Sequence, residues 1–216
     1  MDPQTWWFVA RAGGLVAYAL LGIAVIGGLL ITTRQLGQRP APDWMLDWHR
    51  FVAGLSVVFT FVHLVGIWAD DYIEFALVDL MVPFVADWRP VAVGLGVISF
   101  YFVLAVEMTS LMRRWMPRRS WRLVHRLSVP AFAVATVHLW MAGADASNPV
   151  VLVATGALSG TVAVLLAIWA SSAIGGARRS RHIVRHPVAD AADPSELSAR
   201  KGTDPVQAAN GRDGSS

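Results

Sequence analysis

Five long apolar runs, separated by short polar segments, make up most of the chain. A helix needs about 20 apolar residues to cross a hydrocarbon core of about 30 Å, and each run is long enough. Because lipid offers no partner for open backbone groups, each run is predicted to be helical. The predicted spans cover residues 7–32, 45–69, 90–112, 121–143 and 149–174. The pattern therefore predicts an all-α integral membrane bundle of about five transmembrane helices within residues 5–175.

Two segments do not fit this pattern. Residues 72–85 are apolar but too short to span, so they are predicted to form an interfacial or re-entrant piece ended by Pro83 or near Pro90. From about Ser180 onward large apolar residues almost disappear, and residues 176–216 are predicted to be a cytoplasmic, mostly disordered tail. The tail is too short for a flavin or nicotinamide domain and has no glycine-rich fingerprint, so no such site is expected in this chain.

The distribution of charge predicts the orientation of these spans. Arginine clusters lie between the first and second spans, between the third and fourth, and after the fifth, whereas the connection between the second and third is acidic. By the positive-inside rule the N-terminus lies outside and the C-terminus in the cytoplasm, in a plasma membrane. The second and fourth spans then run in the same direction. Clusters of this kind indicate membrane topology rather than a nucleic-acid surface.

The absence of cysteine restricts the possible redox chemistry. With no cysteine in the sequence, disulfides, thiolate-bound metals and iron–sulfur clusters are excluded. Six histidines are present, and four of them fall in pairs on the two parallel spans. The second span contains His49 and His63, the fourth contains His125 and His138, and the tail contains His182 and His186.

The spacing of the four span histidines predicts two facing pairs. His63 follows His49 by fourteen residues and His138 follows His125 by thirteen, which separates the rings on each helix by about 20 Å at about 1.5 Å per residue. On parallel helices His49 comes level with His125, and His63 with His138. An iron macrocycle takes one imidazole on each side, and each pair supplies two.

The rotational phase supports this arrangement on only one of the two helices. At about 100° per residue, fourteen residues leave His63 about 40° from His49, but thirteen leave His138 about 140° from His125. Pro130 lies between the last two, and proline kinks helices. We therefore expect an over-wound turn or a bend near Pro130.

Two alternatives to haem ligation exist. The histidines of a haem-free membrane anchor or assembly protein would only hydrogen-bond neighbouring helices. Zinc or copper is disfavoured because each level supplies two ligands and no thiolate or thioether completes a tetrahedral set. Four histidines at matched depths favour ligation over packing, since ionisable residues within spans are costly and usually functional.

Several segments resemble a known family. Trp121-Arg122-Leu123-Val124-His125-Arg126, followed by His138-Leu139-Trp140, is similar to the fourth-helix motif of bacterial members of the ferric reductase-like transmembrane domain, which NADPH oxidases and ferric reductases share. Leu95-Gly96-Val97-Ile98-Ser99 through Thr109-Ser110-Leu111, and the opening residues 10–18, also resemble this family. The resemblance covers residues 5–175.

The resemblance implies two b-type haems, one between His49 and His125 and one between His63 and His138. It also implies electron flow from a cytoplasmic or quinol donor to an acceptor at the outer face. The family's usual fused flavin and nicotinamide domain is absent from this sequence, so the expected protein is an oxidoreductase component. We expect it to need a separate flavoprotein, quinol or periplasmic redox partner.

Weaker candidates surround these histidines. Arg50, Arg122 and Arg126 are candidates to bind haem propionates through bidentate hydrogen bonds, or they only determine topology. Glu107 is expected to pair with Arg113 or Arg114, or else to carry protons for a quinone. A further pair, Gly156 and Gly160, has the spacing of a helix-packing face.

Overall fold

The computed structural model describes residues 4–33, 42–70 and 75–185, with side chains described as far as Ser172. Within these residues every regular element is a helix. The chain divides into two compact units, Met1–Ser172 and Ala173–Ser216. The helices are α1 (Thr5–Thr33), α2 (Asp43–Trp68), α3 (Leu77–Met81), α4 (Pro90–Leu111), α5 (Arg118–His125), α6 (Ser128–Ala142) and α7 (Pro149–Arg185), with a 3₁₀ turn at Arg113–Trp115.

The described residues contain four helices that are long and apolar enough to cross a membrane. These are α1, α2, α4 and the Pro149–Ser172 part of α7. The boundaries of α1, α2 and α4 agree with the predicted spans to within two residues. The prediction of an all-α membrane bundle is therefore confirmed.

The fourth predicted span, residues 121–143, is not one continuous helix, and the interruption lies where an over-wound turn or a bend was expected. Helix α5 ends at His125 and α6 begins at Ser128. Between them the Leu127 N–H donates to the Val124 carbonyl at 2.9 Å and the Val129 N–H to the Arg126 carbonyl at 3.3 Å. Both hydrogen bonds join residues that are three positions apart instead of four, so this turn is over-wound.

Pro130 explains the position of the break. It is the third residue of α6, and the first turn of a helix needs no N–H from it. A continuous helix would instead have required its missing N–H and would have forced its ring against the Arg126 carbonyl. The expected over-wound turn thus lies between His125 and Pro130.

The apolar segment before α4 is short, as predicted. Helix α3 has five residues and is followed by Pro83 and by Phe84, which has a φ of 69°. The Tyr101 hydroxyl donates to the Met81 carbonyl at 2.6 Å and ties the end of α3 to α4. Residues 72–74 of the predicted piece lie outside the described residues.

The C-terminal helix extends beyond the predicted fifth span. Helix α7 ends at Arg185 rather than near residue 174. Most of the predicted disordered tail, residues 186–216, lies outside the described residues, as do Arg34 and Arg39 of the first connection.

Helices α1, α6 and α7 share a buried core around Tyr18. The Tyr18 ring stacks on Phe132 with centroids 5.3 Å apart. Its hydroxyl lies 3.1 Å from Thr136 Oγ1 on α6 and 3.4 Å from Ser159 Oγ on α7. The remaining buried members of this cluster are Val25, Leu29, Leu139, Val162 and Leu165. This core holds α6 against α1 and determines the direction in which the α6 side chains project.

The expected packing role of Gly156 and Gly160 was wrong for contacts within this chain. A Cβ on either glycine would meet no atom of the described residues within 4 Å. Helix α7 packs through Val162 and Leu165 instead, and the two glycines are exposed on another face of the helix.

Candidate functional site

The structure brings the four span histidines together in two pairs. The ring centroids of His49 and His125 are 6.2 Å apart, with an interplanar angle of 75°. Those of His63 and His138 are 6.4 Å apart, with an angle of 78°. Because His49 and His63 are fourteen residues apart on α2, the two pairs lie at different depths, about 20 Å from each other along the helix. Helix α2 therefore runs parallel to the α5–α6 segment.

The separation within each pair fits one metal atom between two imidazoles. A metal–imidazole bond is about 2.0–2.1 Å long and a ring nitrogen lies about 1.2 Å from its ring centre, which places the two centres about 6.4–6.6 Å apart when both nitrogens point at the metal. The observed separations are 6.2 and 6.4 Å. Within the described residues no group of three His, Cys, Asp or Glu side chains has a metal-binding arrangement. Each level thus presents two imidazoles, the number that a six-coordinate macrocyclic iron takes.

Backbone carbonyls orient the rings of the His63–His138 pair. His63 Nδ1 donates to the Ala10 carbonyl of α1 at 2.6 Å, and His138 Nδ1 donates to the Ala92 carbonyl of α4 at 2.7 Å. Since a carbonyl can only accept, Nδ1 holds the proton in both neutral rings. The lone pair of Nε2 is therefore free on each ring, as metal ligation requires.

The His49–His125 pair has weaker Nδ1 contacts. His125 Nδ1 lies 3.5 Å from Ser110 Oγ, and Ser110 donates its own proton to the Val106 carbonyl at 2.7 Å. His49 Nδ1 is near the Ala24 carbonyl but has no hydrogen bond of normal geometry within the described residues.

An aromatic ring and a cation lie beside His125. Trp121, one turn earlier on α5, stacks on His125 with centroids 4.9 Å apart and an angle of 23°. The Arg113 guanidinium lies 4.6 Å from the centroid of the Trp121 ring. Sequence reasoning missed Arg113 in this position, because the fold of the 3₁₀ turn against α5 brings it there.

Three of the four rings lie against the Cα of a glycine. A Cβ on Gly14 would lie 2.8 Å from His63 Nδ1, and one on Gly96 would lie 2.7 Å from His138 Cε1. A Cβ on Gly28 would lie 3.3 Å from His49 Cε1. The lack of a side chain at these glycines leaves space for the imidazole rings, because even a methyl group there would crowd a ring.

These contacts follow a repeat that the sequence analysis overlooked. In three copies on α1 and α4, a residue whose carbonyl lies near a histidine Nδ1 is followed four residues later by the glycine under that ring, and in the fourth Val106 is followed by Ser110, which lies beside His125. The unit recurs after fourteen residues, the spacing of His49 and His63. Its four copies are Ala10 with Gly14, Ala24 with Gly28, Ala92 with Gly96, and Val106 with Ser110. The three alanine–glycine pairs are the sequence signal that could have predicted α1 and α4 as the helices that support the histidine rings.

The three arginines that were predicted to bind haem propionates are all exposed. The Nη1 atom of Arg50 lies 3.3 Å from a carboxylate oxygen of Asp47, which is also exposed. Arg122 and Arg126 are exposed on and just after α5. The structure places all three at the end of the bundle that contains the His49–His125 pair.

A cavity of about 280 Å³ surrounds the His63–His138 pair. Its walls are mostly apolar and come from α1, α2, α4 and α6, with charged groups at one end. There Arg11 forms an ion pair with Asp145, whose side chain is 9% exposed. One buried carboxylate oxygen of Asp70, also in the lining, has no hydrogen-bond partner within the described residues.

The expected ion pair of Glu107 was wrong. Arg113 lies over Trp121 and Arg114 over Trp115, and the ion pairs within the described residues are Arg11–Asp145 and Arg50–Asp47. Glu107 instead faces α2, where a Cβ on Gly54 would lie 3.9 Å from its Oε1. The aromatic surfaces attract the two arginines through cation–π interactions.

The fold and the paired imidazoles define a multi-pass helical membrane protein with two histidine pairs stacked at different depths. Residues 13–136 match the family model described as ferric reductase like transmembrane component. The match covers more than half of the chain, and the chain belongs to this family. It includes His49, His63 and His125 and ends two residues before His138. A search of curated proteins and a search of solved structures each returned no match.

Proposed function

We propose that this transmembrane oxidoreductase component conducts electrons across the bilayer through two b-type haems. His49 and His125 would hold one haem, and His63 and His138 the other. Haem iron supplies a one-electron couple between its ferric and ferrous states. The observation that carries the proposal is the separation of 6.2 and 6.4 Å between the ring centres of the two pairs.

The chain's own residues would position and insulate the two centres. The Ala10 and Ala92 carbonyls hold His63 and His138 with Nε2 unprotonated. Gly14, Gly28 and Gly96 leave space beside the rings. The mostly apolar walls around the His63–His138 pair would lower the local dielectric constant and make the potential sensitive to nearby charges.

The direction of electron flow follows from the arginine clusters. We propose that the N-terminus lies outside and the C-terminus in the cytoplasm of a plasma membrane, so that the His49–His125 pair is on the cytoplasmic side. A separate flavoprotein or a quinol would donate there, and ferric iron, oxygen or a periplasmic partner would accept outside. The exposed side chains of Arg50, Arg122 and Arg126 would bind haem propionates or an acidic donor surface at this end.

The proposal is tested by counting haems. The full chain, expressed with sufficient haem and purified in detergent, is expected to bind two haems per chain and to show a reduced-minus-oxidised spectrum of the b type. Each of His49→Ala, His63→Ala, His125→Ala and His138→Ala should lose one haem. His182→Ala, in the tail, should retain both. Wild-type protein without a Soret band would overturn the proposal.

A quinol donor depends on a carboxyl group near the donor side. Glu107, on α4, is half-buried and faces Gly54 of α2. It has no ion pair within the described residues. Glu107→Gln should slow quinol-dependent haem reduction while leaving dithionite reduction unchanged. Equal rates for the variant and the wild type would exclude this donor route.

A second candidate is a haem-free anchor or assembly protein. The observation that favours it is that His63 and His138 each hydrogen-bond a neighbouring helix, which is how a packing histidine is used. In that case His138→Ala would lower the melting temperature of a protein that contains no haem. The haem count therefore distinguishes the two candidates.

A further inference from the structure

The repeat on α1 and α4 has one exception, at the residue that lies beside His125. Ser110 occupies the position that is glycine in the other three copies, and Val106 occupies the position of the facing carbonyl. At the equivalent place His138 passes Gly96 and reaches the Ala92 carbonyl directly at 2.7 Å. At His125 the Ser110 side chain stands between the ring and the Val106 carbonyl.

The hydroxyl of Ser110 bridges the ring and the carbonyl. Ser110 Oγ donates to the Val106 carbonyl at 2.7 Å, which uses its one proton. Its lone pairs therefore face His125 Nδ1 at 3.5 Å, a long and weak contact compared with the direct bonds of 2.6 and 2.7 Å at His63 and His138. Because His49 Nδ1 also has no hydrogen bond of normal geometry within the described residues, both rings of this pair are weakly bonded.

A strong Nδ1 hydrogen bond makes an imidazole a more basic metal ligand. A more basic ligand stabilises ferric over ferrous iron and lowers the reduction potential, since hydrogen bonding to the ligand is one of the protein's means of tuning haem. The His63–His138 pair has two such bonds, and the His49–His125 pair has none among the residues that the structure describes. The ligands alone thus separate the potentials of the two centres.

Two charged side chains, Arg113 and Asp70, act in the same direction, whereas an ionised Glu107 would act against Arg113. Arg113, whose cation lies over the Trp121 ring stacked on His125, favours the reduced and less positive iron at that level. The other level has Asp70, one of whose carboxylate oxygens has no hydrogen-bond partner among the described residues, and the Arg11–Asp145 ion pair, whose charges offset each other. In a low-dielectric interior such charges have a large effect on a redox centre.

We propose that Ser110 is a positioning residue that holds His125 away from the Val106 carbonyl and so makes the His49–His125 centre the more easily reduced of the two. The inference rests on the proposed two-haem function. Electrons would collect at the donor side until an outer partner draws them onward. Glycine at position 110 would convert this level to the arrangement found at His138.

The first experiment compares the two centres. His138→Ala should retain only the His49–His125 centre, and His125→Ala only the His63–His138 centre. Spectroelectrochemical titration of each purified full-length variant gives one midpoint potential. The His49–His125 centre is expected to have the higher potential, and the reverse order would overturn the inference.

The second experiment changes Ser110 in the His138→Ala background. Ser110→Gly should lower the midpoint potential by an amount equal to about a tenfold gain in ferric over ferrous binding, or about 59 mV for one electron. Ser110→Ala removes the bridging acceptor and should raise the potential, whereas Ser110→Thr retains the hydroxyl and should reproduce the parent value.

Thr109→Ala is the matched control. The Thr109 hydroxyl bonds only carbonyls of its own helix, at 2.8 Å to Ala105 and 3.1 Å to Val106, so its removal should leave the potential unchanged. If Ser110→Gly does not retain haem, the signs for Ser110→Ala and Ser110→Thr decide the question. Haem-containing variants of Ser110 with unchanged potentials would overturn this inference and leave the two-haem proposal standing. Wild type without haem would overturn both.

Discussion

The ring of His138 lies directly against the Cα of Gly96, so closely that a Cβ built on that glycine would be 2.7 Å from Cε1 of the ring. The same ring donates to the Ala92 carbonyl one turn earlier on α4. Both contacts place α4 as the support that orients this imidazole toward His63.

Gly96→Ala is expected to displace the His138 ring, because a separation below 3.0 Å cannot be accommodated without movement of one partner. The purified variant should contain one haem per chain instead of two, with the His49–His125 centre retained. Gly156→Ala is the control, since a Cβ there meets no atom of the described residues within 4 Å, and it should retain both haems. Two haems per chain in Gly96→Ala would contradict this prediction and show that α4 moves easily at this point.

The contact between Gly66 and Ala10 predicts a cost in stability. A Cβ on Gly66 would lie 2.5 Å from the Ala10 backbone nitrogen, so alanine must push α1 away from α2. We expect Gly66→Ala to destabilise the protein by about 1–3 kcal/mol, as overpacking does.

Thermal unfolding in detergent, monitored through the loss of the Soret band, measures this effect. Gly54→Ala is the control, because its nearest neighbour would be a Glu107 oxygen at an ordinary 3.9 Å. The displacement also moves the Ala10 carbonyl away from His63, so the His63–His138 centre should lose haem first. Equal melting temperatures for the two variants would contradict the prediction.

The hydroxyl of Tyr18 predicts a small coupling with Thr136. Their oxygens lie 3.1 Å apart in the core shared by α1, α6 and α7. A double-mutant cycle of Tyr18→Phe and Thr136→Val should give a coupling free energy of about 0.6 kcal/mol, typical of hydrogen bonds between membrane helices. Tyr18→Phe preserves the stacking on Phe132, so the cycle isolates the hydroxyl. Additive effects of the two changes would mean that this bond contributes no stability.

The ion pair of Arg11 and Asp145 predicts a larger effect than the surface pair Arg50–Asp47. Asp145 has a side chain only 9% exposed, whereas that of Asp47 is 72% exposed. Asp145→Asn leaves Arg11 beside a neutral group at the His63–His138 cavity and should lower the melting temperature clearly. Asp47→Asn should change it little.

The double variant Arg11→Gln with Asp145→Asn should recover part of that loss, because it removes the unpaired charge. A melting temperature of the double variant below that of either single variant would contradict the ion-pair account.

The spans and the pairing of the histidines were within reach of the sequence because both depend on local regularities. Apolar length determines where a helix crosses lipid, and residue spacing determines depth along a helix. Three of the predicted spans matched to within two residues for this reason. The exceptions were the segment from Trp121 to Gly143, where α5 ends at His125 and α6 begins at Ser128, and α7, which continues to Arg185.

Other features depend on how separate helices meet. Glu107 was expected to find an arginine, but Arg113 and Arg114 lie over tryptophan rings instead. Gly156 and Gly160 had the spacing of a packing face, yet α7 turns another face toward α1 and α6. A spacing specifies which residues share a face, but the neighbouring helices decide which face is buried.

By itself the sequence determined an all-α membrane bundle, the parallel direction of α2 and the α5–α6 segment, and the depth of each histidine. These properties follow from hydrophobic length and helical rise, which every residue contributes to independently of its distant neighbours. Only the tertiary structure decided that the break between α5 and α6 leaves both of their rings beside those of α2, that the Ala10 and Ala92 carbonyls select the tautomers of His63 and His138, and that the Ser110 hydroxyl contacts His125. Those depend on contacts between residues far apart in the chain, which arise only when the helices pack.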